Sequence, residues 1–345
     1  MHLSPAFGMT VNEIEQDGFK IDARIESLVE GGDAAATVLS MAKVQEGLAV
    51  AFTELTPDLV VILGDRYEAL AAASAAEVFN IPIAHLHGGE TTEGAIDDKF
   101  RHAITKLSDY HFASTPQYVE KIISMGENPE NVYHSGAPGA EASVDVFYED
   151  KDTVQEFEEK TGIKDGEPFI LMAMHPVTTL PDKGMSELES TLSSLETFIS
   201  QGYKILVTMP NSDPGNEQIS RSIEDWVARH SGRVIAVKSL GSKLFHLAME
   251  YASAMIGNSS AALIEAPTHR LPAVNIGVRQ KGRAHGITVL DAQTSRQSII
   301  MALETALSLE MKAVIMGQPV VALNPYFKEG SADFIAKKLI SIVYE

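Results

Sequence analysis

LVVILGDRYEALAAASAAEVFNIPIAHLHGGE, residues 59–90, decides the fold. LVVIL (59–63) is an apolar run of strand length that ends in a polar, glycine-bearing loop, GDRYE (64–68). YEALAAASAAEVF (67–79) is alanine-rich and suits a helix, because alanine loses no side-chain entropy there. IPIAHL (81–86) is a second strand-length run and ends in HGGE (87–90). Strand, helix and strand in this order indicate a parallel pair joined by a helical crossover.

Working outward, the rhythm continues. AIDDKFRHAITKL (95–107) places Ile96, Phe100, Ala103 and Leu107 at helical spacing, and YHFAS (110–114) and NVYHSG (131–136) bracket a further helical segment. FILMAM (169–174), KILVTM (204–209), RVIAVK (233–238), SAMIG (253–257) and PAVNIG (272–277) read as buried strands, most of them separated by helical stretches. The fold class is therefore α/β, with parallel sheets covered on both faces. A chain of 345 residues is long enough for two such domains. The charged, glycine-containing stretch EDKDTVQEFEEKTGIKDGEP (149–168) places the boundary near residue 163, giving domains 1–163 and 164–327. GSADFIAKKLISIVYE (330–345) reads as an amphipathic helix. No convincing strand precedes Phe19–Ile21, so the opening reads as the middle of a domain.

Composition narrows the function. Hydrophobic residues make up 45% and charged residues 21%, as in ordinary soluble proteins. With no cysteine, thiolate catalysis and cysteine-bound zinc are excluded, and a cytoplasmic location is expected. The formal net charge of −20 argues against nucleic acid and anionic membrane as partners. No run of eighteen apolar residues suggests a transmembrane helix, and MHLSPAFGMT lacks the basic and apolar regions of a signal peptide. GxGxxG, GxxxxGK[ST] and GxSxG are absent, which leaves no dinucleotide fingerprint, P-loop or serine elbow.

In open α/β sheets, ligands bind beyond the carboxyl ends of strands. GDRYE, HGGE, HPVTT (175–179), PNSDPGN (210–216), GNSS (257–260) and GVRQKGR (277–283) all fall there. In GNSSAALIEAP, Ser259 and Ser260 sit at the cap and first turn of a helix, where free N–H groups and hydroxyls hold an anion or simply cap the helix. Arg279 and Arg283 on the next loop favour a phosphate. Glu265, about one and a half turns into that helix, faces either a ribose diol or solvent. His175 precedes Pro176 and can donate to a phosphate, act as an acid or be structural.

Carboxylates and histidines are dense between residues 65 and 102. Asp65 ends the first strand, His85 and His87 alternate along the next, and Glu90 follows a Gly-Gly turn. Asp97 pairs with Arg101 and Asp98 with His102 at helical i,i+4 spacing. The cluster fits acid–base work, with surface ion pairs as the plainer reading and a His85-x-His87 metal site as a rival.

These residues resemble the hydrolysing UDP-N-acetylglucosamine 2-epimerases. GDRYEALAAASAAEVFNIPIAHLHGGETTEGAIDDKFRHAITKLSDYHFAST is similar to that family's signature region, and HPVTT, PNSDPGN, GNSSAALIEAP and NIGVRQKGR continue in its order. The resemblance implies two Rossmann-like domains facing across a cleft, as in GT-B glycosyltransferases, with the last helix (about 328–345) returning to the first domain. It implies hydrolysis of UDP-GlcNAc with inversion at C2, giving N-acetylmannosamine for sialic acid synthesis, or the same chemistry on a UDP-2,4-diacetamido-trideoxyhexose in the legionaminic acid route. It implies no redox cofactor and no metal, and a homodimer. Asp65, Glu90, Asp97 and Asp98 become acid–base candidates, and Arg101 orients the sugar. Some members carry glutamate at the position of His87, so His87 or Glu90 takes that proton-transfer place. His175, Asn211, Ser259, Ser260 and Arg279 would hold the UDP, with Glu265 on the ribose. The family also places a strand–helix–strand unit with a Gly-Thr-Arg loop ahead of the segment matched by MHLSPAFGMTVNEIEQDGF. A GT-B glycosyltransferase and a non-catalytic nucleotide-binding chain are the other readings.

Overall fold

The computed structural model describes residues 2–31, 33–142 and 151–344. A first sheet holds β1 (Val60–Leu63), β2 (Ile83–Leu86), β3 (Tyr110–Ala113) and β4 (Val132–His134), side by side in chain order. A second holds β5 (Phe169–Ala173), β6 (Lys204–Thr208), β7 (Val234–Val237), β8 (Ala254–Gly257), β9 (Ala273–Ile276) and β10 (Val289–Ala292). Its order is β10-β9-β8-β5-β6-β7, and every pairing in both sheets is parallel. The chain runs outward from β5 to β7 and then crosses to β8 on the other side. The crevice between the ends of β5 and β8 is thus a topological switch point, where α/β sheets bind ligands.

The alternation of side chains along a strand explains why the second sheet is apolar on both faces. Ile170 and Met172 face a core closed by Leu188, Leu195 and Phe198, Ile219 and Trp226, and Ile299 and Leu303 from three helices. Phe169, Leu171 and Ala173 face the opposite core with Leu244, Leu247 and Leu263. Phe157 and Ile163 belong to this second core, and Lys151–Thr161 is a helix. Much of the charged stretch is the wet face of this amphipathic helix.

In the first sheet, Ile62 and Ile83 pack on Phe52, Ala73, Ala76 and Ile104. Ala84, Leu86 and Phe112 face the other way and meet Ile335, Leu339 and Ile342 of the final helix, Ser331–Tyr344. Glu141 tethers the start of that helix by accepting the N–H groups of Gly330 and Ala332. Among the described residues β1 forms the outer edge of its sheet, with Val61 and Leu63 49% and 65% exposed. Phe19–Ile21 lie in coil. No helix among the described residues is long and apolar enough to cross a membrane.

Candidate active site

β1 delivers Asp65 and Arg66, and β2 delivers the HGGE turn. His87 has φ 64, a left-handed conformation, so the chain leaves strand geometry one residue after Leu86. The alternation that put His85 and His87 on one face is broken there. His85 is fully buried and bonds the Gly64 carbonyl at 2.8 Å, and burial pushes its pKa down to about 3. His87 instead bonds Glu90 Oε1 through Nδ1 at 2.6 Å. The two rings have separate partners, and among the described residues no group of three His, Asp or Glu is placed to hold a metal ion.

Glu90 is the hub. Ser114 Oγ donates to its Oε1 at 2.6 Å, and Arg101 donates to its Oε2 at 2.8 Å. Arg283, from the second sheet's loops, donates to the same Oε2 through Nε at 3.2 Å and also through Nη2. Burial alone would raise this carboxyl. The charges of Arg283, His87 and Arg101 outweigh it and hold Glu90 well below the usual range. A carboxylate so fully engaged is a poor proton acceptor. His87, Ser114, Arg101 and Arg283 together take up both of its oxygens.

Asp65 pairs with Arg101, whose charge and hydrogen bond overcome burial and keep the carboxyl ionised. Asp97 behaves oppositely. Burial, then the charges of Asp65 and Asp213, push it up to about 7, against the weaker pull of Arg279 and Arg66. Asp98 accepts the Thr92 N–H at 2.6 Å and lies 3.8 Å from His102.

The opposite wall comes from β5, β6, β8 and β9. His175 is clamped by Asn258, whose side chain accepts the His175 N–H at 2.7 Å and donates to its carbonyl at 2.9 Å. The Asn211 N–H donates to His175 Nδ1 at 3.3 Å. Burial, helped by Arg279, lowers His175 to about 3. The ring is therefore neutral, and with Nδ1 accepting, Nε2 carries the proton and is a donor. His175 can hold a phosphate oxygen but cannot supply a proton as an imidazolium at neutral pH.

Arg279 reaches the Pro176 and Asn258 carbonyls and lies 3.7 Å from Asp213. The helix after GNSS is a single turn, Ala261–Ile264, with Ser260 as its N-cap and Ser259 Oγ accepting the Ala261 N–H at 3.3 Å. Glu265 ends that turn, short of the expected helix. It is held high by burial, against His87 and Arg283, and its buried Oε2 has no hydrogen-bond partner.

The two walls touch. Arg66 donates to Asp213 at 3.1 Å and to Ser212 at 3.0 Å. The Ile96 N–H meets Thr178 Oγ1 at 2.9 Å, Thr179 Oγ1 meets the Gly94 carbonyl at 2.8 Å, and the Glu93 N–H meets the Lys281 carbonyl at 3.1 Å. Gly94 lies so close to Val278 and Arg279 that any Cβ would enter their backbone. Asp213, Ser114, Gln280 and the true partner of Arg283 escaped the sequence reading. Arg283 and Glu90 are 193 residues apart, and no local pattern announces such a pair.

Two parallel sheets whose loop-bearing ends meet around this cluster define the class, a GT-B-like α/β protein. The chain belongs to the UDP-N-acetylglucosamine 2-epimerase family, whose sequence profile matches residues 1–340. It is 35% identical over 292 residues to a Campylobacter jejuni GDP/UDP-N,N'-diacetylbacillosamine 2-epimerase (hydrolyzing), covering 85% of this chain and 74% of that protein. It is 32% identical over 331 residues to the Escherichia coli polysialic acid biosynthesis protein P7, covering 96% and 82%. Its fold is similar to the crystal structure of UDP-GlcNAc 2-epimerase from Neisseria meningitidis bound to UDP-GlcNAc, with TM-score 0.81 at 17% identity, over 96% of this chain and 89% of that one.

Proposed function

We propose that this chain is a hydrolysing UDP-sugar 2-epimerase that converts UDP-GlcNAc and water to N-acetylmannosamine and UDP. The observation that carries the reading is Asp97, a carboxyl poised near neutrality beside the Asp65–Arg101 pair and facing the donor-rich wall of His175 and Arg279. In the first stage the C2 proton passes to a base, the C–H electrons form the C1–C2 double bond, and the C1–O bond to UDP breaks. In the second, hydroxide from water joins C1 and a proton returns to C2 on the opposite face.

Inversion at C2 needs a proton-transfer group on each face. Asp97 and the Glu90-oriented His87 are the two we assign. Asp65, kept ionised, and Arg101 position the sugar. His175 Nε2–H, Arg279 and the Ser259–Ser260 turn stabilise the departing diphosphate, the kind of preorganised donor set that contributes most to such barriers. Asn211 fixes the His175 tautomer through its backbone. The free oxygen of Glu265 suits a ribose hydroxyl. The P7 relative's name supports a product used in sialic acid-type synthesis.

A second reading is favoured by the Campylobacter relative: the same chemistry on a UDP-2,4-diacetamido-2,4,6-trideoxyhexose. The test is UDP release with each sugar nucleotide in turn. Turnover of UDP-GlcNAc is expected. Turnover of the diacetamido sugar alone moves the assignment to the second reading, and turnover of neither contradicts both.

A further inference from the structure

One hydrogen-bonded line crosses the cleft from the diphosphate wall to the proton-transfer wall. Asn258, which clamps His175, offers its carbonyl to Gln280 Nε2 at 2.9 Å. Gln280 Oε1 accepts from Arg283 Nη1 at 2.9 Å. Arg283 then grips Glu90 Oε2, and the other oxygen of Glu90 holds His87. Gln280, Arg283 and Glu90 are 2%, 9% and 0% exposed. Water does not compete for these bonds, and each fixes the orientation of the next. On sequence alone Arg283, together with Arg279, favours a phosphate near the GNSS loop. Its guanidinium is instead committed to a carboxylate and an amide.

We infer that Arg283 is a positioning residue that fixes the orientation of His87 through Glu90. The inference rests on the proposed role of His87 in proton transfer. Arg283 is itself held in place, because the next residue, Ala284, gives its N–H to Tyr118 Oη at 2.9 Å and packs beside Tyr118 and Tyr326. Without Arg283, Glu90 keeps only Arg101, Ser114 and His87. Its Oε2 is then no longer pinned from the far side, and the His87 ring loses its fixed bearing.

The test uses purified full chain and the Arg283→Gln variant. The expected result is a fall in kcat of about a hundredfold, the loss typical of a reacting group displaced by an ångström. KM and the affinity for UDP should stay within about threefold of wild type, since no phosphate ligand is removed. Arg283→Lys, a point charge unable to bridge Glu90 and Gln280, should fall between the two.

Glu90→Gln and the double variant Glu90→Gln/Arg283→Gln complete a cycle. If Arg283 acts through Glu90, the double variant matches Glu90→Gln in kcat. This neutral pair also carries the comparison if Arg283→Gln alone does not fold. A loss of UDP affinity with kcat preserved would make Arg283 a phosphate ligand and overturn the inference, as would multiplicative losses in the cycle. A wild-type chain without turnover would strike the functional reading. The inference would still be readable from the downfield imidazole N–H resonance of the His87–Glu90 bond, present in wild type and lost in Arg283→Gln.

Discussion

Asp97→Asn is expected to lower kcat/KM by about a hundredfold to ten-thousandfold, the span ascribed to one proton-transfer group, while making the protein more stable at neutral pH. The two effects share a cause. Burial, Asp65 and Asp213 raise Asp97 to about 7, so the folded state binds a proton that the unfolded chain releases at about 4. The folded state holds the extra proton between those values, so stability falls as pH rises from about 4 through 7. Above that window an ionised Asp97 opposes folding in full.

Asparagine removes this charge. The gain should be about 1–2 kcal/mol at pH 8 once water in the cleft is allowed for, a few degrees in Tm, and should vanish near pH 4. Thermal melts across that range check the sign, and the wild-type kcat/KM profile should show a limb near pH 7 that the variant lacks. Unchanged turnover, or a variant less stable than wild type at pH 8, would remove Asp97 from its assigned place.

Glu90→Ala should cost about 3–5 kcal/mol of stability and abolish turnover. Two guanidinium groups, Arg101 and Arg283, converge on Glu90 Oε2 in a buried setting, and His87 and Ser114 use its other oxygen. Without the carboxylate, Arg283 loses its ion-pair partner and Arg101 keeps only Asp65, so two desolvated cations share one carboxylate. The loss is largely that uncompensated charge rather than the worth of any single bond. Denaturant titration reads it, and Glu90→Gln should lie between wild type and alanine because an amide oxygen still accepts. A Glu90→Ala variant of wild-type stability would mean that the buried hub does not hold the two walls together.

Strands were legible wherever burial on both faces left an unbroken apolar run, as in FILMAM or SAMIG. β10 was not, because this edge strand buries only Val289 and Ala292 and turns Asp291 outward. The helix Lys151–Thr161 was hidden by its own charge, since only Phe157 and, partly buried, Val154 carry its apolar face to the core. At the site, spacing located the loops but not the orientation of what they carry. His87 reads as a strand residue until its left-handed backbone is seen, a conformation histidine tolerates better than most residues. Glu90 and Arg283 were both visible as candidates. Their pairing was not, because it depends on how two sheets close and not on local sequence.

The most direct measurement is proton NMR of the protein with UDP-GlcNAc in deuterium oxide, repeated with the diacetamido sugar nucleotide. The account predicts a released 2-epimerised sugar bearing one deuterium at C2, appearing together with free UDP. Release or transfer of a sugar that keeps its original C2 proton would contradict it, because no glycal could then have formed.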